Sequence, residues 1–169
     1  WFDRGISPEK LEQRWQEGGV AQRIFSGETH RCLELHHAFR GGHGLVSTSH
    51  DYLNFCRMLL QRGKWEGEHL LAPKSVEMMT LNHIRPELMP LEIRGFEIPG
   101  DGFGLGFGVN IDLAASLNLG SVGTFGWAGL ASTHFIIDPV EELILIQMAQ
   151  FIHPPEQLLF KYLRTAVYQ

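Results

Sequence analysis

GSVGTFGWAGLASTHFIIDPVEELILIQMAQ, residues 120–150, carries the reading of this chain. It opens on a glycine-rich approach. Alternating and β-branched residues then predict a strand from about Leu130 to Ile137, a tight turn at Asp138-Pro139, and a returning strand from Leu143 to Ala149. Gly126, Ala128, Gly129 and Ala131 leave the leading end of that strand almost bare around one large ring, Trp127. A bare strand end lets a ligand lie directly against main-chain N–H and C=O groups.

Outward from this stretch, Gly102, Gly104, Gly106 and Gly108 alternate with Phe103, Leu105, Phe107 and Val109. Side chains on a strand alternate faces, so residues 102–112 predict one strand with a bare face and an apolar face. Further upstream, Gly41 to Gly44 form a loop and Ser47-Thr48-Ser49 a capping cluster. Tyr52, Phe55, Cys56, Leu59 and Leu60 then recur at three- and four-residue spacing, predicting an amphipathic helix from about Ser49 to Leu60. Pro73 opens a second helix, Lys74 to Leu81, with Val76, Met79 and Thr80 inward. The stretch from His83 to Asp101 carries Pro86, Pro90 and Pro99 and reads as a long surface loop. Pro154-Pro155 starts a last helix to about Tyr168, with Leu158, Leu159, Tyr162, Leu163 and Val167 on its packing face. The class is α+β.

Composition bounds the function. The chain of 169 residues is 44% apolar, enough for a real core. Its 14 basic and 19 acidic residues give a net charge of −5 without a basic stripe, which argues against nucleic-acid binding. No apolar run approaches the roughly 20 residues of a membrane-spanning helix. Cys32 and Cys56 read as two reduced thiols, one in the core. The compartment stays open.

Three stretches in order resemble the serine β-lactamase and penicillin-recognising enzyme family, in its esterase-like branch. Gly41-Gly42-His43-Gly44-Leu45-Val46-Ser47-Thr48, followed by Asp51, resembles a helix-opening motif of that family. Residues 102–109 resemble its glycine-alternating strand. Trp127-Ala128-Gly129 resembles its third motif, where Trp-Gly-Gly often replaces the Lys-Thr-Gly of the β-lactamases. The middle position departs by one methyl group. By this resemblance residues 1–101 hold part of a helical subdomain with loops, and residues 102–169 hold the antiparallel strands and C-terminal helix of an α/β subdomain.

The resemblance also implies roles. One oxyanion-hole donor would be the backbone N–H of Leu130, just after the motif, and Trp127, Ala128 and Gly129 would line the substrate cleft. His134 lies by alternation on the face of Ala128 and Leu130; it either touches substrate or packs under a helix. Tryptophan cannot pair with the carboxylate of a penicillin, which points to neutral esters, and Ala128 narrows the site towards small acyl groups. The implied partner is a small-molecule ester or amide, with no cofactor and no metal.

The family's nucleophile motif, Ser-x-x-Lys, and its Tyr-x-Asn are a separate matter. Ser7-Pro8-Glu9-Lys10 has the form of the first, yet Ser-Pro followed by charge is the signature of an exposed helix start. Tyr52-Leu53-Asn54 has the form of the second but lies inside an amphipathic helix, where Tyr52 is a core position. Neither is read as catalytic. The chain also opens on Trp1-Phe2 without Met or a leader-like run, and so reads as the C-terminal portion of a longer enzyme. Such a portion would carry an open strand edge and an uncovered apolar face, so a companion chain or a homo-oligomer is expected. The histidines at 30, 36, 37, 43 and 50 show no helical ligand spacing with a nearby carboxylate. Two alternatives stand beside a hydrolase half: a non-catalytic binding or assembly module, and an autonomous enzyme using Ser7 and Lys10 or the histidines.

Overall fold

The computed structural model describes residues 47–93, 95–129, 131–149 and 156–169. The stretch holding Ser7, Lys10, the glycine loop and the histidines at 30, 36, 37 and 43 lies outside the described residues, as does Leu130.

Helix α1 runs Ser49–Leu60. Thr48 caps it: its hydroxyl oxygen accepts the Asp51 N–H at 3.1 Å, satisfying a donor that the first turn cannot pair internally. Two short strands, β1 (Lys64–Trp65) and β2 (Glu68–His69), form a hairpin, and helix α2 (Pro73–Met79) follows with proline in its first turn. The stretch expected to be a loop is more regular than its prolines suggested. A 3₁₀ turn, Pro86–Leu88, leads into a hairpin of β3 (Leu91–Ile93) and β4 (Phe96–Ile98). The prolines flank these strands instead of interrupting them, so no ladder N–H is lost.

Five antiparallel strands form the main sheet in chain order: β5 (Asp101–Phe103), β6 (Gly108–Asn110), β7 (Phe125–Ala128), β8 (His134–Asp138) and β9 (Leu143–Gln147). One expected strand is in fact a hairpin, and a second starts later than expected. Residues 102–112 split into β5 and β6 around a loop where the Gly104 N–H donates to the Phe107 carbonyl at 2.7 Å and Gly106 sits at φ +99°. A side chain at Gly104 would collide with the Met79 carbonyl of α2. The glycine alternation therefore marks a turn and a close approach, not one bare face. Likewise the strand expected from Leu130 begins only at His134, and the motif residues Trp127 and Ala128 end the preceding strand, β7. A short helix, α3 (Leu113–Ser116), capped by Asp112, bridges β6 and β7.

One sheet face packs on α1. Phe125, Phe135, Ile137, Val109 and Phe107 join Cys56, Met58, Leu59 and Val76 in a single buried cluster, with Tyr52 against Phe135 at 5.1 Å, edge to face. Burial raises the Tyr52 hydroxyl and the Cys56 thiol each to about 12. Tyr52 is thus the core aromatic that its place in the helix implied.

Helix α4 (Glu156–Val167) packs through Phe160, Arg164 and the following Tyr168. This corrects the expected packing face: Leu159, Tyr162, Leu163 and Val167 are exposed instead. The apolar stripe looked like the buried one, but a polar tie holds the helix. Asp138, fully buried, accepts the Tyr168 hydroxyl at 2.8 Å, the Ser121 N–H at 2.9 Å, the Thr124 hydroxyl at 3.0 Å, and the Val140 and Glu141 N–H groups. Burial alone would raise this carboxyl, but those donors outweigh it and hold it below the usual range. Arg164 donates through Nε to the Leu119 carbonyl at 2.6 Å. Among the described residues no helix is long and apolar enough to cross a membrane.

Candidate active-site strand

The motif sits at the open end of the central strand. Phe125 and Gly126 are buried, whereas Trp127, Ala128 and Gly129 are all exposed, so the last turns of β7 meet solvent on leaving the core. Cross-strand pairing sets the neighbours: Trp127 opposes Phe135 and Ala128 opposes His134. Sequence alternation placed Ala128 and His134 on one face, and they do share one, as direct partners in a hairpin and not as residues of one strand.

The two sides of this strand end differ. On one, the indole of Trp127 meets Phe103 edge to face at 4.8 Å and 84°, and lies over Gly108, where a Cβ would stand 3.3 Å from the ring. Trp127 keeps 40% of its surface in solvent. On the other, the His134 ring stacks on Phe160 of α4 at 4.5 Å with only 16° between planes. Of the two placements open for His134, the one under a helix is observed.

The turn after the motif is closely held. The Gly129 N–H donates to the Thr133 carbonyl at 2.7 Å, and its carbonyl accepts the Ser132 N–H at 3.1 Å. Ser132 is buried with φ +64°, a left-handed conformation that non-glycine residues adopt only when their surroundings demand it. Gln147 supplies that demand, its buried side-chain N–H donating to the Ser132 carbonyl at 2.8 Å from β9. Sequence reasoning missed Gln147, Phe103 and Gly108 as supports of the motif. Only the register of the finished sheet brings them to it.

Elsewhere, a depression of about 170 Å³ lined by Asp51, Asn54, Met58, Trp65 and Leu70 holds none of Trp127, Ala128 and Gly129. Among the described residues no group of three His, Cys, Asp or Glu side chains is placed to hold a metal ion.

Comparison with known proteins decides the family. The sequence pattern described as Beta-lactamase matches residues 4–167. The chain belongs to the Beta-lactamase family. Two curated relatives from Mycobacterium tuberculosis, the uncharacterized protein MT1414 and Protein Rv1367c, are each 40% identical over 119 residues. That match covers 68% of this chain and 29% of each relative, so this Beta-lactamase family chain spans well under half of their length. Solved structures share the fold. EstCE1, described as a hydrolase with promiscuous acyltransferase activity, superposes with a TM-score of 0.62 at 24% identity over 76% of this chain and 32% of its own. Simvastatin synthase (LovD) from Aspergillus terreus superposes with a TM-score of 0.63 at 22% identity over 78% of this chain and 36% of its own.

Proposed function

We propose that this chain supplies the oxyanion strand and one wall of the cleft in a serine hydrolase or acyltransferase of the esterase type, acting on small neutral esters or amides. The observation that carries the reading is the exposed run Trp127-Ala128-Gly129, at the solvent end of a central strand in a Beta-lactamase family sheet. In acyl transfer the hard moment is the negative oxygen of the tetrahedral intermediate, and a preset main-chain N–H there lowers the barrier by about 3–4 kcal/mol. The Gly129 N–H is engaged by Thr133, so it is not that donor. The N–H of Leu130, next in line, is assigned the role. Trp127 offers an apolar ring where a lysine would offer a cation, which favours uncharged substrates. His134, stacked on Phe160, is left to packing.

The serine belongs to polypeptide beyond this chain, since the one Ser-x-x-Lys match here, Ser7 to Lys10, has the pattern of an exposed helix start. That same fact favours a second reading, a binding or assembly module that keeps the fold without chemistry. A fluorophosphonate probe and p-nitrophenyl butyrate separate the two. The chain alone stays unlabelled and inactive. Joined to a family N-terminal portion carrying Ser-x-x-Lys, it should yield a labelled serine and ester hydrolysis. A joined protein that folds yet stays unlabelled rules for the second reading, and labelling of Ser7 in the chain alone overturns both.

A further inference from the structure

We propose that Phe103 and Gly108 are positioning residues that fix the plane of the Trp127 indole, making it a rigid platform for the uncharged acyl portion of a substrate; this rests on the acyl-transfer reading of the strand. Phe103 and Gly108 are cross-strand partners in the β5–β6 hairpin, and Trp127 reaches them from β7. Gly108 presents no side chain, so the indole can approach its backbone; even one methyl group there would stand 3.3 Å from Cε3 and Cζ3 of the ring. Phe103 meets the same ring edge to face at 4.8 Å, the favoured geometry for two ring quadrupoles. The indole is therefore held by an edge contact and by a bare patch of backbone, while the residue keeps 40% of its surface in solvent.

Exposed apolar side chains are common on this chain, and what sets Trp127 apart is its place in the motif at the solvent end of β7, between Phe103 and Gly108. It is held still and left accessible, as a binding surface must be, because a preset ring spares a ligand the ordering cost of a mobile one. No cation stands among the ring's described contacts to pair with a carboxylate, so the platform takes alkyl and neutral carbonyl groups.

The test is an indole N–H titration by NMR on the 169-residue chain. The Trp127 signal is the one missing in Trp127→Phe. Methyl butyrate should shift it, and monomethyl succinate, of similar size but bearing a carboxylate, should shift it far less. Phe103→Leu and Gly108→Ala should move the free Trp127 signal, leave that of Trp65 in place, and weaken methyl butyrate binding about three- to tenfold. If Gly108→Ala fails to fold, Phe103→Leu alone decides. An unmoved wild-type Trp127 signal up to the ester's solubility limit overturns the proposal. So does equal binding of the two esters, or unchanged affinity in a folded variant whose Trp127 signal has moved. Failure of the acyl-transfer reading shows elsewhere, as absent phosphonate labelling in the joined protein, and leaves the titration result standing.

Discussion

Asp138 stands next to Pro139 in a turn, where aspartate is ordinary, yet its buried carboxylate gathers five donors from three parts of the chain. Tyr168→Phe removes one of them and should cost about 1–2 kcal/mol in urea unfolding. Asp138→Ala leaves several buried donors unpaired at once and should cost about 3–5 kcal/mol. The pH dependence follows from the same group. Its folded pKa lies below the unfolded value, so its stabilisation is present above about pH 4 and is lost as pH falls through the folded value. Tyr168 is raised by burial and then by Asp138, so its contribution is complete below about pH 10 and declines as pH climbs beyond that. Asp101, raised by burial, works weakly against Asp138 at the acid end. Unfolding midpoints measured across pH should show both flanks, and Tyr168→Phe should remove part of the alkaline one. At Leu130, replacement by proline deletes the assigned donor; in a joined, active enzyme it should lower kcat about a hundred- to a thousandfold. The motif triplet was legible from its residue types. Asp138 was not, because a turn aspartate and a buried hub aspartate have the same neighbours in sequence.

Among the elements, α1 was legible nearly to the residue, because a cap, a spacing of three and four, and a length of three turns all agree. The hairpins were not. Strands of three to five residues joined by tight turns leave little room for a period to declare itself, and the glycines of 102–108 imitate a two-residue repeat while Gly102, Gly104 and Gly108 each allow a separate close approach and Gly106 supplies the turn. Gly104→Ala tests this directly. A methyl group there must displace the α2 carbonyl, at about 2–4 kcal/mol. Gly123→Ala, at φ +92° in open space, should cost only about 1 kcal/mol from backbone strain. A reversal of that order in chemical denaturation would contradict the close approach at Gly104. Gln147→Leu, which removes the donor to the Ser132 carbonyl, should loosen the turn behind the motif and speed amide exchange at Ser132 and Gly129.

Across the whole molecule, the two borders of the sheet are unlike. At β5 the outer edge is answered by Asn82 and His83, which bond the Phe103 N–H and carbonyl. At β9 no further strand pairs among the described residues. With the exposed stripe of α4 this predicts self-association of the isolated chain, or pairing with a companion that adds a strand at β9. Light scattering that returned a monodisperse monomer with cooperative unfolding would refute it. The expectation of a companion came from the missing nucleophile motif, whereas which face of α4 stays bare was not legible, since Arg164 and Tyr168 hold the opposite side by polar bonds. The sealed thiol of Cys56 offers a way to watch the interior from outside. With Cys32 replaced by serine, a maleimide can reach sulfur only when α1 lifts from the sheet. Alkylation speed then becomes a clock for that detachment, and a companion that steadies the sheet should slow it.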